Sequence, residues 1–179
     1  MPYTQNDRPQ ILEGLQTEQQ IEIRKFQKED IRSVVGINRI CLPENYPDQF
    51  FLGLHYHAPD AFIVAESKGE DELCGYIMCR IERGLSSFGK LPTKKGHIVS
   101  VAVKPECRNQ GIGSALIEAA MEGMVEYGAS EFFLEVRETN KDAISVYENL
   151  GFEIKRTLKG YYRDGEDALL MVKKHQPEE

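Results

Sequence analysis

At 179 residues the chain has room for one domain with a sizeable core and hardly for two. A net charge of −7 disfavours a nucleic-acid surface, and no apolar run approaches the ~20 residues of a membrane span. The polar N-terminal segment lacks a signal-peptide core, so the chain reads as cytoplasmic, with neither nucleic acid nor membrane as a partner. Cys41, Cys74, Cys79 and Cys107 form no C-x-x-C pair and are expected to be reduced, buried, small apolar residues rather than metal ligands.

Residues 1–20 are polar and are expected to form a flexible extension, followed by one domain over 21–174 and an acidic tail at 175–179. Residues 21–26 alternate as a first strand. Residues 28–41 read as a helix with Ile31, Val34, Val35, Asn38 and Cys41 near one face. Pro43 ends it, because the residue before a proline is pushed out of the α region. The connection Leu42-Pro43-Glu44-Asn45-Tyr46-Pro47 is aromatic and acidic; on composition it is a proline-stiffened loop with Tyr46 plugging the core. Residues 48–55 suggest a short helix, 61–66 a buried strand and 73–83 a long strand completing a hairpin. The polar, glycine-punctuated stretch 84–95 reads as a loop.

Residues 97–103 are β-branched enough for a strand, which Pro105 stops because it has no N–H to give. A turn leads into a helix from Ile112, with Leu116, Ala119, Ala120, Gly123 and Met124 sharing its face. Strand, glycine turn and helix N-terminus together make an anion site, since the first helical amides lack partners and the dipole adds positive charge. The turn lacks the lysine of a Walker loop and the third glycine of a dinucleotide fingerprint. What remains is Arg108-x-x-Gly111-x-Gly113, six residues that by themselves read better as a tight turn with glycines for packing. Residues 130–137 read as a buried strand parallel to 98–103, because a helix joins them. Residues 140–150 follow as a helix, then a strand from 151 ending near Tyr161, an Asp164-Gly165 turn and a last strand at 168–173. The succession β-α-α-β-β-β-α-β-α-β-β predicts an α/β (α+β) fold: a mixed seven-stranded sheet with helices on both faces.

The segment Asn140-x-x-Ala143-x-x-x-Tyr147-x-x-x-Gly151-Phe152 follows the glycine turn in an order that resembles the GNAT acetyltransferases. More narrowly, LPENY at 42–46, GHIVSVAV at 96–103, LEVR at 134–137 and KGYYRDGEDA at 159–168 are similar to the archaeal N-terminal acetyltransferases. They are similar too to the catalytic subunit of the eukaryotic NatA complex, related to the ribosomal-protein alanine acetyltransferases. The resemblance implies a GNAT fold whose central parallel strand pair forms the cofactor cleft. It implies an enzyme that moves acetyl from acetyl-CoA, with no metal, to the α-amine of chains starting with Ser, Ala, Thr, Gly or Met. It leaves open a ribosome-associated or auxiliary-subunit partner.

The same resemblance gives residues their roles. Glu135 and His97 would remove the proton, and Tyr147 would hydrogen-bond or protonate the leaving thiolate. The backbone of Val101, Ala102 and Val103 would bond the pantetheine, one amide there facing the oxyanion. Arg108, Asn109, Gln110, Gly111, Ile112, Gly113, Ser114 and Ala115 would cradle the pyrophosphate, with Asn140 and Ala143 also on the cofactor side. Glu44, Tyr46, Tyr161 and Tyr162 would face the peptide. Taken without it, His97 is also an ordinary strand-end histidine, Tyr147 a core aromatic and the tyrosine pair an edge ladder. Glu135 is different, because an ionisable group between Leu134 and Val136 is costly unless paired or used. Deprotonating an α-amine at neutral pH costs about 1–1.4 kcal/mol against about 4.6 for a lysine, so a weak base suffices. The alternatives are a GNAT enzyme acting on lysine side chains or a small amine, and a non-catalytic CoA-binding scaffold, which would need only the loop.

Overall fold

The computed structural model describes residues 20–69 and 71–176; the expected extension, apart from Gln20, and residues 177–179 of the expected tail lie outside these. The elements run β1 (Ile21–Lys25), α1 (Ile31–Cys41), α2 (Asp48–His57), β2 (Phe62–Ser67), β3 (Glu72–Leu85) and β4 (Pro92–Val103). They continue as α3 (Ile112–Glu126), β5 (Glu131–Arg137), α4 (Lys141–Asn149), β6 (Glu153–Leu158) and β7 (Ala168–Lys174). This is the expected succession. The strands make one sheet in the order β1-β2-β3-β4-β5-β7-β6. Every neighbouring pair is antiparallel except β4 and β5, which α3 joins as a parallel crossover.

Strand alternation divides the core into two layers. Ile63, Ala65, Ile77 and Cys79 pack with Leu116, Ile117 and Met124 of α3 and with Ile144 and Tyr147 of α4. Phe62, Val64, Tyr76 and Met78 face the other way, against Val34 and Ile37 of α1 and Phe51 and Leu54 of α2. The central strands are buried on both sides, which is why they read as continuous apolar runs.

The stretch 84–95 is not the expected loop. β3 continues to Leu85 and β4 begins at Pro92, with Arg83 opposite Lys94 and Leu85 opposite Pro92. A proline is tolerated there as the first residue of a strand. The carboxylate of Glu131, buried at the start of β5, anchors the hairpin tip by accepting from Ser86 Oγ at 2.8 Å and Ser87 N at 2.9 Å. It also meets Lys95 Nζ at 3.1 Å. A second difference lies beyond β6, which stops at Leu158, so Tyr161 and Tyr162 sit on the β6–β7 loop rather than at a strand end. Asp167 ties that loop locally, accepting from Gly160 N at 2.8 Å and Lys159 Nζ at 2.6 Å. Asp164-Gly165 forms a turn within it, Gly165 at φ 86° donating to Tyr162 O at 2.9 Å. Smaller differences are α2, which runs on to His57, and Cys41, which is half-buried while the other three free thiols are buried.

Candidate active site

β4 and β5 pair only at Lys95–Glu131, Gly96–Phe132 and His97–Phe133. Just past that point β4 slips register against β3, Met78 lying opposite Ser100 and Cys79 opposite Ile98. Such a bulge bends the strand. The β5-facing edge of residues 98–103 is left without a strand partner, and the parting opens a cleft of about 840 Å³. Val101, Glu135, Asn140, Ala143 and Tyr147 line it, together with Glu44, Tyr46, Tyr161 and Tyr162. The expected peptide-side set therefore shares one cleft with Val101, Asn140, Ala143 and Tyr147 of the expected cofactor-side set, while Ala102 and Val103 are not in its lining.

His97, at the last β4–β5 pair, is not in the cleft lining; it is 8% exposed, with its ring stacked on Phe133 at 4.2 Å and 13° between planes. Its Nε2 lies 2.7 Å from Glu135 Oε2 and its Nδ1 3.1 Å from Glu82 Oε1. Phe132, Leu134 and Val136 of β5 enter the core, so Glu135 faces the cleft, and it is half-buried rather than enclosed as expected. Tyr147 comes from α4 on the other side. Its hydroxyl has no protein partner among the described residues, and burial, with Cys79 nearby, raises its pKa and keeps it protonated at neutral pH. Asn140 caps α4: its Oδ1 accepts from Ala143 N at 3.2 Å.

The peptide-side wall is held by Arg137, which the sequence reading left without a role. Its guanidinium donates to Glu44 at 2.5 Å, Asp164 at 2.7 Å and Glu166 at 2.5 Å, and lies over the Tyr162 ring at 4.0 Å. One cation thus joins the α1–α2 connection to the β6–β7 loop. The α1–α2 connection is also held from below, where Asn38 Nδ2 donates to Glu44 O at 3.2 Å and to Tyr76 OH at 3.0 Å. Tyr76 OH in turn lies 2.8 Å from Ser100 Oγ; burial pushes its pKa up to about 12. Burial also raises Tyr46, Tyr161 and Tyr162. A buried asparagine on an apolar helix face and an arginine ending an apolar strand were the available signals.

At the head of α3, Gly111 adopts the left-handed conformation at φ 76° and its carbonyl accepts from Ala115 N at 3.0 Å. The amides of Ile112, Gly113 and Ser114 find no acceptor among the described residues, as a helix start requires. Arg108 Nε donates to Val103 O at 3.0 Å, fastening this turn to the end of β4. Residues 108–115 do not line the cleft itself but lie beyond the end of its β4 wall. No cluster of metal-ligating side chains occurs among the described residues, and none of their helices is long and apolar enough to cross a membrane.

The profile of the acetyltransferase (GNAT) family matches residues 28–152. An N-alpha-acetyltransferase of Sulfurisphaera tokodaii is 49% identical over 153 residues, covering 84% of this chain and 90% of its own. The crystal structure of Ard1 from Thermoplasma volcanium superposes with a TM-score of 0.75 at 32% identity, covering 88% of this chain and 99% of that one. Naa20 from Chaetomium thermophilum, solved with a bisubstrate analogue, gives 0.74 at 31% identity over 86% of each chain. With the profile spanning well over half of its length, and with relatives this close, the chain belongs to the GNAT family and is an acetyltransferase.

Proposed function

We propose that the chain transfers acetyl from acetyl-CoA to the α-amine at the start of a protein chain. The observation that carries this reading is the 2.7 Å contact of Glu135 with His97 at a cleft walled by Tyr46, Tyr161 and Tyr162. The name of the Sulfurisphaera relative supports it, as does the small cost of deprotonating an α-amine. A carboxylate acting through one water is base enough for that substrate.

Acetyl-CoA supplies an activated acyl group as a thioester. The residues present fit it: unpartnered amides at Ile112, Gly113 and Ser114 suit a diphosphate, and the edge at Val101–Val103, which no strand pairs though Arg108 takes the Val103 carbonyl, suits an amide-bearing arm. Glu135 takes the amine proton and hands it to His97. The Tyr147 hydroxyl donates to the sulfur. The tyrosine slot takes an extended terminus, whereas a mid-chain lysine brings backbone on both sides. The test is acetylation of peptides differing in their first two residues, beside a peptide with a blocked α-amine and a free lysine. Turnover confined to the free α-amines is expected; equal turnover on the blocked lysine peptide would overturn the reading.

A further inference from the structure

Glu82 is a carboxylate that the reading above does not use. In the β3–β4 ladder Arg80 lies opposite His97, and His97 lies opposite Phe133 in β5. Two residues on along each flanking strand, Glu82 and Glu135 therefore share the face of His97, in a row across β3, β4 and β5. The imidazole is bracketed, with Glu82 Oε1 3.1 Å from Nδ1 and Glu135 Oε2 2.7 Å from Nε2. Arg80 Nε donates to the same Glu82 oxygen at 2.5 Å, and Phe133 stacks on the ring. The ring is thus held from three directions.

A neutral imidazole carries one proton. On Nε2, that proton would leave the Nδ1 lone pair facing the Glu82 carboxylate, acceptor against acceptor. On Nδ1 it gives Glu82, which Arg80 holds in place, a hydrogen bond, and Nε2 then accepts across the 2.7 Å contact from the Glu135 carboxyl once that group carries the amine proton. We propose that Glu82 is a positioning residue, holding the Nδ1 proton of His97 so that Nε2 can accept, and stabilising the imidazolium that then forms. This rests on the reading of Glu135 and His97 as the base. In the overall reaction the ammonium nitrogen loses two protons. The first passes through Glu135 to His97 and on to water; the second ends on the coenzyme thiol. Glu82, with its side chain 34% exposed, also gives the ring a solvent-facing side.

The charged and titratable groups around the ring are Arg80 and Glu82 from β3, Lys95 from β4 and Glu135 from β5. Lys95 Nζ lies 5.0 Å from the Phe133 ring centre, and the phenols of Tyr46 and Tyr161 stand near Glu135. Burial works to raise the Glu82 carboxyl, but the His97 ring and the Arg80 guanidinium outweigh it and hold it below the usual range. Glu82 therefore stays an anion through the working pH range.

The test combines ring-15N NMR of the protein without coenzyme and steady-state kinetics of Glu82→Gln and Glu82→Asp. His97 is identified among the four histidines by the His97→Gln variant. In the wild type the neutral His97 ring should carry its proton on Nδ1, and Glu82→Gln should reduce that population. The same variant should lower kcat about tenfold or more, leaving the KM for acetyl-CoA unchanged. Glu82→Asp, which keeps a carboxylate acceptor, should restore the Nδ1-protonated population and part of kcat. A wild-type ring protonated on Nε2 would overturn the proposal, as would unchanged kcat in Glu82→Gln. If Glu82→Gln does not fold, the wild-type tautomer decides. Full activity in Glu135→Gln beside an Nδ1-protonated His97 would instead remove the base reading and leave the Glu82 hydrogen bond standing.

Discussion

Replacing the Glu135 carboxylate by an amide keeps the shape of the side chain and removes its capacity to take a proton. We expect Glu135→Gln to lower kcat at least about tenfold while acetyl-CoA affinity stays nearly unchanged, as kinetics and coenzyme titration can separate. Wild-type turnover in that variant would remove the residue's assigned role. At this scale the sequence was informative where a residue type clashes with its surroundings. A carboxylate between Leu134 and Val136 demands a reason within its own strand. Glu82 gave no such local signal, and Arg137 only that of an arginine ending an apolar strand. Their meaning lies in partners distant along the chain, Glu44 in one case and His97 in the other, and only the folded sheet brings these together.

Between elements, Arg137 clasps two loops to each other and Glu131 anchors one hairpin. Arg137→Lys keeps the charge but loses the planar fork that reaches Glu44 and both loop carboxylates. The loss should raise peptide KM by about tenfold, the scale of one charge-assisted hydrogen bond, with acetyl-CoA KM unaffected. Equal peptide KM values would show that the slot does not need the clasp. Glu131 anchors the β3–β4 tip. Burial raises its pKa, but the Ser87 amide, the Ser86 hydroxyl and Lys95 outweigh that and lower it below the usual value. A carboxyl lowered in the folded state contributes stability above its unfolded pKa of about 4.3, and this is lost as pH falls through the lower folded value. Glu131→Gln should therefore cost about 1–3 kcal/mol at neutral pH and flatten the acid end of the stability profile. Denaturant titrations across that range check both; an unchanged acid slope would refute the anchoring role. The same anchor explains why residues 84–95 were misjudged. Their polar, half-exposed alternation resembles a loop until a carboxylate from a later strand is seen to fasten the tip.

Across the whole molecule, α3 joins β4 to β5 and packs closely on the backbone that leads into β2. A Cβ at Gly123 would fall 1.9 Å from the Asp60 carbonyl oxygen, so the helix rests directly on the backbone before β2. Helix propensity alone favours alanine there by about 1 kcal/mol, but the clash is with rigid backbone. We expect Gly123→Ala to destabilise by about 1–3 kcal/mol, read as a lower melting temperature. A stabilised variant would show that the packing is loose. Element order, the parallel pair and the glycine turn were legible in the sequence because each is set by local period and punctuation. The extent of the β4–β5 pairing was not, since the bulge that bends β4 just past it appears only in its register against β3. The account turns on amides at the head of α3 holding a diphosphate so that the reacting groups meet between Glu135 and Tyr147. Its most direct test is a crystal structure with a conjugate joining coenzyme A to a peptide N-terminus. The diphosphate should lie on the amides of Ile112, Gly113 and Ser114, the sulfur beside the Tyr147 hydroxyl and the peptide nitrogen within one water of Glu135. A diphosphate bound elsewhere, or a peptide end pointing away from Glu135, would contradict it.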